Sequence, residues 1–376
     1  MSRFPRAVAL VLVASATIFL SAAASRERAT GRAEPRITPV APMAVARMSH
    51  TATTLGDGRV LIAGGFAGRE LAAHSAELYD PRTERFTPLP PMRATRLSHT
   101  ATPLPDGRVL LTGGYTDGME VTASAEIYDP KRGTFAATGS MTSARAGHVA
   151  VALRDGSVLL VGGVGPGWTF LASAERYDPT IGRFTPVDDM AVARESHVAV
   201  RLPDGRVLVV GGHRGRREQI ELFASAELFD PATNRFTPTG SMQRRRHKHD
   251  AVALADGRVF VSGGADERDN RGVFTDSEIY DPRTGTFSAG PALQRGRYKH
   301  AASSVLLPDA TVLLAGGHAD AERVDVRTGT STVIPGDEGI AGQFSATALL
   351  PGGAVLLTGG YGANLPPQRK AWRYRP

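Results

Sequence analysis

The chain has 376 residues, 41% of them hydrophobic and 22% charged, with a formal charge of +7. That suffices for one large domain or several ordinary ones of soluble type, and 42 glycines with 25 prolines favour turns and short strands over long helices. Cysteine is absent, which excludes disulfides, thiolate nucleophiles, thiolate metal sites and a cysteine-linked lipid anchor.

Residues 1–24 read as a signal peptide. Arg3 and Arg6 precede an apolar run from Ala7 to Leu20, and Ala22, Ala23 and Ala24 offer a small-residue cleavage site. The run is short for a bilayer span. The expectation is an exported protein, periplasmic or extracellular, with 25–34 a short linker and no membrane span after cleavage.

From residue 35 onward the chain repeats. Glycine pairs end apolar runs at 64–65, 113–114, 162–163, 211–212, 263–264, 316–317 and 359–360, a period of about 50 residues. Within each unit, Arg-x-x-His comes first, as in "RMSHTATTL" from Arg47. An Asp-Gly pair follows at 57–58, 106–107, 155–156, 204–205 and 256–257, which between apolar runs signals a hairpin. The next run, such as "RVLIAGG", is almost wholly apolar and fits a strand buried on both faces. A variable loop leads to "SAELYDP" (75–81) and its four counterparts. A phenylalanine then falls seven residues after each Tyr or Phe of that motif, at 86, 135, 184, 236 and 287. Each unit therefore predicts four short strands and no helix.

Glycine pair, Tyr-Asp-Pro and trailing aromatic, recurring in this order, resemble the kelch repeat, the double-glycine motif of β-propeller blades. The resemblance spans residues 35–376 and implies an all-β propeller. The trailing aromatic is Phe here rather than the family's usual Trp, and unit six has Val324 and Ser331 at its aromatic positions. The seventh unit ends one strand short, at "KAWRYRP". "RITPVAPM" (36–43) matches "RFTPLPPM" (85–92), so the N-terminal strand should complete the last blade. Closure of that kind removes exposed sheet edges. The prediction is a single seven-bladed propeller over 35–376.

Alternate connections of such a blade lie on opposite faces. One face should carry the Asp-Gly and Asp-Pro turns; the other should carry the loops after the glycine pairs, from "FAGRELAAH" to "YGANLPPQR", which differ in length, charge and aromatic content. Variable loops on a rigid scaffold are the better place for recognition.

Arg47, Arg96, Arg145, Arg194, Arg246 and Arg297 belong to the variable face. As a ring at the channel mouth they would bind a carboxylate or phosphate. As structure they would pair with Glu77, Glu126, Glu175, Glu227, Glu278 and Glu322; unit seven loses Arg, His and Glu together. The repeat histidines 50, 99, 148, 197, 249 and 300, one per blade, cannot converge on a metal ion. "HRGRREQ" (213–219), "QRRRHKHD" (243–250) and "QRGRYKH" (294–300) form a basic patch, with Arg244 and Arg245 as ligand contacts and Tyr298 as a stacking surface. Such a patch suits an anionic glycan, anionic lipid headgroups or an acidic protein; nucleic acid is not an expected partner of an exported chain.

The resemblance implies binding scaffolds, copper-radical oxidases and sugar epimerases as relatives. Its oxidases need a cysteine–tyrosine cofactor, which this chain cannot make. No acid–base pair stands out as catalytic, and no cofactor or metal is expected. The function expected is a monomeric, exported module binding protein or glycan through its variable face. The alternative is an enzyme of epimerase or mutarotase type acting on an acidic sugar at the channel mouth.

Overall fold

A computed structural model describes residues 36–68, 73–334, 342–362 and 366–376; the leader and linker expected at 1–34 lie outside the described residues. Those residues form seven four-stranded antiparallel sheets, one per repeat, and a small two-stranded ribbon, His213–Arg214 with Glu221–Leu222. Blade 1 comprises Thr51–Thr54, Val60–Ala63, Ala76–Asp80 and Arg85–Pro88, in that spatial order. The first strands of the seven blades neighbour one another in a closed ring, from Thr51–Thr54 round to Ala346–Leu349 and back.

Closure falls where the repeat arithmetic put it. Arg36–Pro39 adds to the outer edge of Ala371–Arg375, with Ile37 opposite Tyr374. Short single-turn 3-10 segments, such as Asp117–Met119 and Pro166–Trp168, punctuate the variable loops.

The core lies between blades. Each second strand is buried and, apart from a terminal Thr112, Ser262 or Thr358 in three blades, apolar, because both of its faces are covered, and alternate side chains go to opposite neighbours. Val60 and Ile62 pack against Leu356 of blade 7, while Leu61 and Ala63 pack against Val109 and Leu111 of blade 2. Tyr79 and Phe86 face each other across their strand pair, with ring centroids 4.9 Å apart. Blades 2 to 5 repeat that pair. In blade 6, Val324 opposes Ser331 and the aromatic contact is missing.

The glycine pair is an inter-blade device. A Cβ on Gly162 would come 2.7 Å from the Arg194 carbonyl oxygen and 2.8 Å from the His197 ring of the next blade, and its φ is +63°. A Cβ on Gly163 would meet His148 of its own blade at 2.9 Å. The two glycines thus let one histidine in from each side. Gly107, in an Asp-Gly turn, has φ +86° but nothing within 4 Å of a Cβ. Gly107→Ala should therefore cost about 1 kcal/mol for conformation alone. Gly162→Ala should cost about 3 kcal/mol or more, since backbone and ring must also move. Urea unfolding of the two variants measures the difference; equal costs would mean the close approach is not tight.

Candidate functional site

The repeat arginines are fully buried and paired. Arg145 Nη1 donates to the carbonyls of Gly162 and Ser173, both at 2.9 Å, and Nη2 donates to Glu175 Oε1 at 2.9 Å. Glu175 also accepts the backbone N–H groups of Thr142 and Ser143, at 2.7 and 3.1 Å. Glutamate and arginine together fix the segment that leads from one blade's outer strand into the next blade's inner strand. The same ties occur at Arg47–Glu77, Arg96–Glu126, Arg194–Glu227, Arg246–Glu278 and Arg297–Glu322, at 2.9 to 3.1 Å. Burial lowers the Arg145 pKa and the glutamate opposes that. The expectation of an anion-binding ring is corrected on this point: guanidiniums without solvent contact, bound to main-chain carbonyls and a carboxylate, face no ligand. In blade 7, Trp372 holds the glutamate position and is buried.

The repeat histidines are sealed between blades. Burial holds His50, His99, His197 and His300 at a pKa of about 3, and His148 and His249 well below the usual value, so all six are neutral. Among the described residues, no group of three or more His, Asp or Glu side chains is placed to hold a metal ion.

The basic patch is partly neutralised. Arg244 lies 3.2 Å from Asp276, Arg214 2.6 Å from Glu221 and Arg295 2.9 Å from Asp320. Arg245 remains exposed. Tyr298 is not a stacking surface: it is 1% exposed and donates its hydroxyl proton to Asp269. It occupies the position after the repeat arginine, where Leu97 and Ala146 are buried in blades 2 and 3.

What reaches the axis is the next residue of each repeat. Ser49, Ser98, Gly147, Ser196, Lys248, Lys299 and Phe344 all have positive φ, between 51° and 60°. They are laced by backbone hydrogen bonds from blade to blade: Ser98 N–H to Ser49, Gly147 to Ser98, Lys248 to Ser196, Lys299 to Lys248, Phe344 to Lys299 and Ser49 to Phe344, each of 2.9 to 3.1 Å. This collar makes the channel mouth two-sided. Blades 1 to 4 contribute the small residues Ser49, Ser98, Gly147 and Ser196, whereas blades 5 to 7 contribute the charged Lys248 and Lys299 and the aromatic Phe344.

On the polar side the groups are connected. His213 Nε2 lies 3.3 Å from Glu195 Oε2, and its Nδ1 lies 3.4 Å from His247 Nδ1. His247 Nε2 is 3.1 Å from Asp269, which also receives Lys248 Nζ at 3.2 Å. Contact with His247, then the hydrogen bond from Tyr298, holds the Asp269 carboxyl below its usual range. Burial raises the Glu195 pKa and pushes His213 down to about 3. Asp250, also buried, has its pKa raised by burial to about 6 and accepts the N–H groups of Ser303 and Ser304, at 2.9 and 2.8 Å, tying blade 5 to blade 6.

Beside this mouth, the loops after the glycine pairs of blades 2 and 3 form a cleft of about 380 Å³, lined by Tyr115, Met119, Glu120, Val121 and Trp168 among others. Met119 and Trp168 are two of only four large hydrophobic residues that are exposed among the described residues. Both take left-handed backbone, φ 62° and 63°, each just after a glycine. The Arg216 guanidinium stacks 3.5 Å from the Trp168 ring centroid, and Tyr115 lies 5.7 Å from it. A larger groove of about 740 Å³ opens on the opposite face, but it has no aromatic lining, and its Arg59 and Arg108 already pair with Asp57 and Asp106. Among the described residues no helix is long and apolar enough to cross a membrane.

Comparisons with known proteins agree with this architecture. The kelch motif matches residues 47–93, 144–191 and 196–243. A solved structure described as a novel fungal alcohol oxidase with catalytic diversity among the AA5 family, in complex with copper, superposes with a TM-score of 0.74 at 18% identity, covering 91% of this chain and 76% of that one. The structure of YjhT gives a TM-score of 0.62 at 15% identity, covering 79% of this chain and 99% of that one. At such identities the likeness is one of fold. No curated protein matches the sequence. By motif and by fold, the chain is a seven-bladed β-propeller that carries kelch repeats.

Proposed function

We propose that this kelch propeller is an exported interaction module that binds an anionic glycan through its variable-loop face, with a sugar ring seated in the Tyr115–Trp168 cleft. The observation that carries this reading is Trp168, exposed on a constrained loop and backed by a guanidinium. An aromatic face suits the apolar C–H face of a pyranose, and a cleft of this size suits one or two sugar units. Arg216 has no ion-pair partner among the described residues. It supplies the charge that favours an acidic sugar. Export rests on the composition of residues 1–24.

Retention on immobilised polygalacturonate tests the reading. Trp168→Ala should weaken binding roughly tenfold, the size of one lost aromatic contact, with an unchanged unfolding midpoint. Arg216→Glu should remove the preference for an acidic over a neutral polymer. Undiminished retention by Trp168→Ala would overturn it. A second reading, an enzyme acting on an acidic sugar, is favoured by the Glu195 carboxyl at the mouth; turnover of acidic sugars followed by NMR decides it.

A further inference from the structure

The chain carries only four lysines, at 131, 248, 299 and 370, against 40 arginines. Two of the four occupy the same collar position on adjacent blades. The fold does not ask for lysine there: the equivalent positions in blades 1 to 4 are Ser49, Ser98, Gly147 and Ser196, and left-handed backbone favours glycine over any residue with a Cβ. The two lysines also differ. Lys248 is ion-paired with Asp269. Lys299 has no ion-pair partner among the described residues; it is half-buried, and its Nζ lies 5.0, 5.4 and 5.3 Å from the ring centroids of Tyr298, Phe344 and Tyr361. Its hydrogen bond runs to the Tyr361 hydroxyl at 2.6 Å.

We infer that Lys299 is a carbonyl-reactive amine, forming an imine with a small aldehyde or ketone that enters the channel mouth, with Tyr361 as the proton carrier. A lysine amine becomes a nucleophile when its surroundings are apolar and no carboxylate holds its proton. Burial lowers the Lys299 pKa from its usual value, with Asp269 opposing more weakly. Burial also raises the Tyr361 pKa, so the phenol keeps its proton at neutral pH. In the step, neutral Nζ attacks the carbonyl carbon and gives a carbinolamine. The nitrogen loses a proton, the Tyr361 hydroxyl relays one to the departing oxygen, and water leaves, so amine plus carbonyl yields imine plus water. This inference is independent of the glycan reading, since the collar and the Trp168 cleft are separate sets of residues.

The probe is propanal with cyanoborohydride on the mature protein at neutral pH, followed by peptide mapping. Lys131 and Lys370 are exposed and serve as internal references. Lys299 should be alkylated about tenfold faster than either, with a pH dependence displaced below that of an ordinary amine. Tyr361→Phe should slow labelling at Lys299 and leave Lys131 unchanged, while Lys299→Arg should abolish the fast phase with the fold retained. Labelling of Lys299 no faster than of Lys131, or a Tyr361→Phe variant that labels at full rate, would overturn the assignment. If Trp168→Ala also labels normally, the two sites are shown to stand or fall separately.

Discussion

On acidification from pH 8 to pH 5 the protein should lose stability steeply, with unfolding at pH 5 taking up close to one proton for each of its six repeat histidines. Folded, four of these imidazoles sit at a pKa of about 3, and His148 and His249 well below the usual value, because burial disfavours the charged form. Unfolded, they return to about 6.5. The unfolded chain therefore binds more protons wherever the pH lies between those values. Stability from this source is complete above pH 6.5 and falls as the pH drops towards 3. Each histidine contributes a slope of order 1 kcal/mol per pH unit across the window. Six of them make this the largest effect expected of any single condition. Unfolding midpoints across pH, with proton uptake from calorimetry in buffers of different ionisation enthalpy, check it. His99→Asn should take up one proton fewer; a midpoint independent of pH between 7 and 5 would contradict the burial.

Arg145→Met should lower the unfolding free energy by about 3–5 kcal/mol, because it leaves the Glu175 carboxylate buried without its cation. Glu175 is 1% exposed and would retain only the Thr142 and Ser143 N–H groups. The carbonyls of Gly162 and Ser173 would also lose their guanidinium donor. Adding Glu175→Gln should recover about 1–3 kcal/mol, since a neutral amide removes the stranded charge while its oxygen still accepts one N–H group. Urea denaturation of the two single variants and the double variant gives the coupling directly. Additive losses would mean that arginine and glutamate act independently.

The parts of this molecule that were legible in its sequence are those it prints many times. Repetition serves as an internal alignment, so the glycine pairs, the Arg–Glu pairing option and the closing strand at Arg36–Pro39 could be read by comparing units. The proposed binding surface lies where the units disagree, and there repetition is a weaker guide. Tyr298 was expected on the surface because it sits among Arg295, Arg297 and Lys299. Its slot in the repeat, shared with Leu97 and Ala146, marks it as an inward position. Lys248 and Lys299 were signalled by their rarity and by standing where other blades place serine or glycine. Glu195, His213 and Asp269 carried no such mark: Glu195 meets His213 through the pairing of each arginine-following residue with the one after a glycine pair, and Asp269 comes in on the single-turn segment Asp269–Arg271. The charge of the basic patch was legible; its neutralisation by Asp276, Glu221 and Asp320 depended on loop geometry.

The central claim is a division of labour, in which the repeated residues build the propeller and the irregular ones on the variable face bind. It is tested most directly by measuring polygalacturonate retention and unfolding midpoint together for Trp168→Ala and Arg96→Lys. The account predicts that Trp168→Ala loses retention at an unchanged midpoint. Arg96→Lys cannot reproduce the fork that serves Gly113, Ser124 and Glu126 together, so it should unfold earlier and retain the ligand while folded. Retention that survives loss of Trp168 but fails in folded Arg96→Lys would contradict the account.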